Sequence, residues 1–300
     1  MINNISYKEK INQLIKNYKY STKLAQTLGV SRISIVNWKD DDSKINETNK
    51  LKIDSLYTKD IIIPSLTKEE AEKEVKKVMK IDFSIYLNDF DYMQEVIKYN
   101  SFGSYEIEVQ NSNQDTFFNI LENNYIEKDI QKREIIEINN LASLTKKIIN
   151  DTIKGNLKEL NTNIIKSWHL ALFLGIREDA GEYSQYIRKI KDVNLTLTLP
   201  EDIEEEMEYW IKLYKNTSNL YDIAKAHEHF ELIHPFGDGN GRIGRLIIVH
   251  QCIKLNLLPP IINKYNKTLY YNTLNLAQTK GDILPLTWFF AKYIISKIMV

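Results

Sequence analysis

Residues 234–245 read HPFGDGNGRIGR. Gly239, Gly241 and Gly244 alternate there with Asp238, Asn240 and Arg242, and Gly237 precedes them. Apolar runs of helical spacing lie on either side: Ala226, Phe230 and Ile233 share one face upstream, and Ile243–Ile253 follows. The pattern predicts a loop between two helices, ending at a helix N-terminus. Backbone N–H groups are free at such a terminus, and glycine lets the main chain come close to an anion. Arg242 and Arg245 add forked phosphate donors. Asp238 offers a hard oxygen of the kind Mg²⁺ shares with substrate phosphates. His234 can take up a proton near neutral pH. A base, a metal ligand and a phosphate cradle in one short stretch point to transfer from a nucleotide.

Three other readings of the stretch are weaker. Gly239, Gly241 and Gly244 fit a dinucleotide-binding glycine pattern, but that pattern needs a preceding strand and an acid about 20 residues on. Here a helix precedes, and Asn263–Lys267 contains no acid. His227, His229 and His234 could suggest a metal cluster, but His227 and His229 point to different helix faces. A purely structural glycine loop would leave the histidine, the acid and both arginines without a task.

Outward from the motif, helical spacing dominates. Ile11, Leu14, Ile15 and Tyr18 recur three and four apart, as do Met207, Trp210, Ile211 and Tyr214. The expected fold is mainly α. Tyr183–Leu199 is the exception, with alternating Tyr186, Ile187, Ile190, Val193, Leu195 and Leu197 between Gly181 and Pro200, and it reads as a β-hairpin. After Pro200 a helix with Glu204, Glu205 and Glu206 in its first turns is expected. Thr67 and Glu70 form a capping-box pattern. The expected division is a small helical unit at 1–60, a helical linking region at 61–128 and a large body at 129–300.

Forty basic and forty acidic residues leave no net charge, which excludes a chain-wide basic stripe. A composition 43% hydrophobic is enough for a substantial core. The single cysteine, Cys252, excludes an intrachain disulfide and a cysteine-rich zinc site, and fits a reducing, cytoplasmic setting. The apolar stretches Leu246–Val249 and Ile283–Val300 are interrupted by His250, Lys292 and Lys297, so no membrane span is expected. No secretory signal pattern opens the chain.

Residues 22–38, TKLAQTLGVSRISIVNW, read as two short helices joined at Gly29, with Ser31 as the second N-cap. Val30, Ile35 and Trp38 can pack inward. The stretch resembles a helix-turn-helix of the phage-repressor type, which implies that Arg32, Ser34 and Asn37 face a DNA major groove. Lys8, Lys10, Lys16, Lys19, Lys23, Arg32 and Lys39 stand against Glu9 alone, a patch suited to phosphate. The alternative is a helical bundle for dimerisation or protein contact. Asp40–Asp42 would repel phosphate if it faced the same way.

The stretch at 234–245 matches H-x-F-x-D/E-G-N-G-R-x-x-R and resembles the Fic (Fic/Doc) family of nucleotidyl transferases. IIKSWHLALFLGIR at 164–177, Asp179–Tyr183 and Ala226–Phe230 look like the same family, so the resemblance spans roughly 130–293. It implies an all-α core that transfers AMP from ATP, with Mg²⁺, to a Ser, Thr or Tyr hydroxyl of a target protein. His234 would be the general base and Asp238 would hold Mg²⁺. Asn240, with the Gly239 and Gly241 main chain and Gly237 beside them, would orient the α-phosphate. Arg242 would take the β-phosphate side and Arg245 the γ-phosphate. Phe236 would anchor the loop. A flap at about Gly181–Asp192, including Glu182, Tyr183, Tyr186 and Ile187, would align the target segment by strand pairing. Gly241 stands where the phosphate-transferring Doc branch has lysine.

Many Fic proteins carry a short inhibitory segment, S/T-x-x-x-E-G/N, and 104–109 reads SYEIEV. Ser104 and Glu108 fit, and Val109 departs. The resemblance implies that Glu108 pairs with Arg245 and blocks the γ-phosphate; the alternative is that Glu106 or Glu108 simply solvates a surface helix. Three functions follow as expectations: an AMP-writing enzyme restrained by Glu108, a DNA-binding regulator with a nucleotide-sensing Fic body, or an enzyme removing AMP. Related proteins often dimerise, and a homodimer would suit a palindromic DNA site.

Overall fold

The structure, a computed structural model, describes residues 5–109, 112–123, 130–189 and 195–295. The first four helices are α1 (Tyr7–Tyr18), α2 (Ser21–Leu28), α3 (Arg32–Asp40) and α4 (Glu47–Tyr57). They close around Ile11, Leu14, Leu24, Ile35, Trp38 and Ile53. Side-chain oxygens start three of them: Ser6 accepts from Glu9 N, Ser31 from Ser34 N and Asn46 from Asn49 N. Gly29, at φ 68°, ends α2. Lys10 leaves the basic patch: it is buried, and its Nζ lies 2.7 Å from Asp54 Oδ1. Ser34 is also committed locally, its hydroxyl 2.9 Å from that of Ser31.

A π-type turn at Thr58–Ile62 and α5 (Ile63–Ser65) lead to α6 (Lys68–Val78), which opens on the Thr67–Glu70 capping box. Then come α7 (Ser84–Leu87), α8 (Phe90–Glu106), α9 (Gln114–Asn123), α10 (Lys132–Ile153) and α11 (Thr162–Phe173). The last five are α12 (Ile203–Tyr214), α13 (Leu220–Ile233), α14 (Asn240–Lys254), α15 (Lys267–Lys280) and α16 (Leu284–Ile295). α14 is the axis of the body. It is buried along both faces, its polar Asn240, Arg242, Arg245, His250 and Gln251 included. Ile243, Leu246 and Ile247 face a cluster with Trp210 and Phe230. Ile248, Val249, Cys252 and Ile253 face another with Phe289 and Phe290. α6 packs on α16. No helix among the described residues is long and apolar enough to cross a membrane.

No strand forms among the described residues, so the expected β-hairpin is corrected; its residues 190–194 lie outside the described residues. The reason is where the backbone groups go. Ser184 N donates to Pro235 O at 2.9 Å and Thr198 N to Leu232 O at 3.4 Å, so each arm bonds to the α13 end rather than to the other. The buried Arg188 guanidinium joins the arms instead, donating to the carbonyls of His234 and Thr198.

Candidate active site

α13 ends where His234 turns into the left-handed region, at φ 50° and ψ 56°. Phe236 then plugs the core, wholly buried and stacked on His169 with ring centres 3.9 Å apart. Asn240 closes the loop: its Oδ1 accepts from Phe236 N at 2.8 Å and its Nδ2 donates to Phe236 O at 2.7 Å. Its amide group is thus spent on the loop's own backbone, which leaves main-chain N–H groups for an anion. Gly239 has φ 77°, and a Cβ there would lie 2.4 Å from Phe173 Cε2, so both conformation and space require glycine. α14 begins at the next residue, with its first amides unpaired within the helix.

His234, Asp238, Gly241 and Arg245 line one cavity of about 530 Å³, together with Glu108 and Glu231. That volume suits a nucleotide-sized ligand. Burial pushes the His234 imidazole down to about 4, against the pull of its hydrogen bond to Glu231 O. Its Nδ1 lies 3.3 Å from that carbonyl. The neutral ring therefore carries its proton on Nδ1 and keeps a lone pair on Nε2. Asp238 is half-exposed; its Oδ1 accepts from Gly239 N at 2.6 Å and lies 3.4 Å from Arg242 Nη2. The Arg242 guanidinium sits 4.8 Å above the Phe173 ring.

Arg245 is held from the end of α8. Its Nε donates to Ser104 Oγ at 2.9 Å, and its Nη2 to Ser104 O at 3.3 Å and Glu108 Oε1 at 2.7 Å. Burial alone would raise the Glu108 carboxyl, but Arg245 and then Arg242 outweigh it and hold it below the usual range. A Cβ on Gly241 would come within 2.9 Å of Glu108 Oε1, so the glycine admits this carboxylate. Glu106 is no surface acid: it is buried, and its Oε1 accepts from Lys264 N at 3.1 Å.

The 181–189 segment lies against the loop. Gly181 and Tyr183 are buried, while Glu182, Tyr186 and Ile187 face outward. The Tyr186 hydroxyl sits over Gly237, where a Cβ would approach it to 2.3 Å. Two positioning residues escaped the sequence reading. His169 accepts from Gly181 N through Nδ1 at 2.8 Å, so its Nε2 donates to Asp238 O at 3.1 Å; burial pushes it down to about 4 and keeps it neutral. One ring thus ties the segment to the loop. Arg188, bonded to His234 O at 2.7 Å, is the other. Neither has a sequence signal of its own: His169 lies 69 residues from Asp238 and Arg188 46 residues from His234. Arg32, Ser34 and Asn37 lie in the N-terminal unit, apart from this cavity. His227 bonds Tyr270 at 2.5 Å and His229 faces Glu206 at 3.8 Å. Among the described residues no three His, Cys, Asp or Glu side chains are grouped to hold a metal.

The Fic/DOC family model matches residues 159–252. The protein adenylyltransferase Fic of Drosophila virilis is 37% identical over 90 residues, which are 29% of this chain and 18% of that protein. That of Drosophila melanogaster matches to the same extent. The match thus spans 18% of the length of these curated relatives. Among solved structures, Fic-1 from C. elegans superposes with a TM-score of 0.62 at 19% identity, covering 94% of this chain and 82% of that one. A Fic family protein from Desulfovibrio desulfuricans gives 0.60 at 18% identity, covering 77% and 73%. Such identities speak for a shared fold alone. Residues 159–252, the 234–245 loop among them, match the Fic/DOC family model, and the chain shares its fold with these Fic structures along most of its length.

Proposed function

We propose that the chain is a protein adenylyltransferase that moves AMP from Mg·ATP to a Ser, Thr or Tyr hydroxyl of a target protein. One observation carries this reading: a neutral imidazole, fixed through Nδ1, opens on the same cavity as the N-terminus of α14 and the Arg245 guanidinium. His234 Nε2 takes the hydroxyl proton, the freed oxygen bonds to the α-phosphorus, and the bond to pyrophosphate breaks. The α14 amides and Arg242 offset the charge gathering on the phosphoryl oxygens. Of the three carboxylates lining the cavity, Asp238 is the one that is neither paired with Arg245 nor buried, which suits an ion completed by substrate phosphates rather than an all-protein cage. It would hold Mg²⁺, which supplies charge neutralisation along the triphosphate.

Glu108 restrains the enzyme in this reading, because Arg245 must release it to reach a γ-phosphate. The 181–189 segment, outward at Tyr186 and Ile187, docks the target. The test is mass spectrometry of a lysate treated with Glu108→Ala protein, ATP and Mg²⁺. AMP on a hydroxyl of a second protein supports the reading. ATP binding with no AMP transferred to any protein refutes it, and AMP released from already modified proteins indicates removal instead.

The N-terminal unit is proposed to bind DNA. On α3, Arg32 and Asn37 are exposed beside exposed Ile33 and Val36, a mixed polar and apolar face suited to base edges and thymine methyls. A gel shift that weakens steeply with salt, and with Arg32→Ala, supports this; no shift at low salt refutes it.

A further inference from the structure

Three acids line the cavity. Glu108 pairs with Arg245 and Asp238 accepts from Gly239. Glu231 has no such engagement: it is buried, and its Oε1 has no hydrogen-bond partner among the described residues. Leaving a carboxyl buried and unpaired is costly, so its retention calls for a reason. Its other oxygen, Oε2, lies 3.7 Å from His234 Nδ1. Space for the carboxyl comes from the neighbouring helix: a Cβ on Gly244 of α14 would lie 2.5 Å from Oε1.

The groups facing Glu231 are His227 on its own helix and His234 just past that helix's end, Arg245 on α14, Glu108 after α8, and Tyr270 and Tyr271 on α15. Arg245, the one permanent cation among them, is already committed to Ser104 and Glu108. His234 is the group whose charge changes during the reaction.

We propose that Glu231 is a positioning residue for His234, its carboxylate stabilising the imidazolium that forms when Nε2 takes the target hydroxyl's proton. This rests on the adenylyltransferase reading. In the step, the hydroxyl O–H bond breaks and the Nε2–H bond forms, while the oxygen bonds phosphorus and pyrophosphate departs. Glu231 exchanges no proton with substrate; it supplies charge behind the ring. The need is plain from the burial of His234, which at about 4 is a weak base unaided. Burial also pushes Glu231 up to about 7, with Arg245 opposing and Glu108 adding to the rise. Glu231 therefore ionises near neutrality, and the rate should climb as it does.

The decisive variant is Glu231→Gln, which keeps the shape and removes the charge. With Glu108→Ala in both proteins, the expected result is a fall in kcat of about tenfold or more with KM for ATP unchanged, and loss of the acid limb near pH 7. A second readout does not need activity. The NMR shift of the His234 ring, followed from pH 8 to 5 without nucleotide, should inflect near 7 in the parent and not in the variant. The same ring titration in both proteins overturns the proposal, whatever the activity. A parent that transfers no AMP while its His234 still senses Glu231 refutes the adenylyltransferase reading and leaves the coupling standing. If Glu231→Gln fails to melt cooperatively, Gly244→Ala takes its place, since a Cβ there must displace Oε1; an unchanged inflection in a folded Gly244→Ala protein also overturns the proposal.

Discussion

Glu108→Ala should make the protein less stable and more active at once. The Arg245 side chain is 7% exposed and that of Glu108 36%. Breaking a fully buried pair from one side costs about 3–5 kcal/mol. The partial exposure of Glu108 screens the pair, and Arg245 retains Ser104 Oγ and O, so the expected loss is about 1–2 kcal/mol. For a chain of this size that lowers the melting temperature by about 2–3 °C. If the same contact opposes γ-phosphate placement, removing it raises AMP transfer about 5- to 30-fold. The assay is label transfer from ATP at saturating Mg²⁺, run beside a thermal melt. A lowered melting temperature with unchanged transfer would show the pair broken without consequence, and would refute the restraint.

The remaining predictions concern the loop and the buried histidines. His234→Ala should cut transfer by about 10²–10⁴ while nucleotide titration still shows binding; loss of both in a folded protein would contradict its role as base. Gly239→Ala should cost about 1–3 kcal/mol through collision with Phe173 and the positive φ, read as a lower urea midpoint; an unchanged midpoint would mean the loop relaxes freely. Burial holds His169, His234 and His250 down to about 4 and His227 to about 3. Unfolded histidine titrates near 6.5, so stability is fully present above that pH and is lost as pH falls toward 4. Glu231, raised to about 7, acts the other way, as do Glu106 and Glu228, which burial also raises. The urea midpoint should therefore drop between pH 7 and 5, and a flat profile would contradict the burial of these rings.

The sequence made the helical class legible, because buried stripes at three and four spacing need no partner information. N-caps at Ser31 and Thr67 were legible too, being local. The loop at 234–245 stood out because glycine, acid and arginine in alternation have few other uses. The hairpin failed for a physical reason: alternation records which side chains are buried, not where N–H groups go. Tyr183 and Leu197 are buried as a strand would have them, yet the ladder is replaced by Arg188. In the sequence Lys10 reads as surface charge, because its partner, Asp54, lies 44 residues away. His169 looked like one more residue on an apolar helix, and only the folded chain brings Gly181 and Asp238 to its two nitrogens.

The turn from His234 to Gly239 joins the C-terminus of one helix to the N-terminus of the next. The carbonyl end of α13 is partially negative and the amide end of α14 partially positive, so a standing field spans the site before any ligand arrives. A cation forming on the imidazole and an anion forming on the phosphoryl group would each develop at the helix end of opposite sign. That polarity depends on the length of the turn more than on any one side chain. Inserting a single residue would add up to about 3.8 Å of chain between the two ends and part the two charges, even with both helices intact.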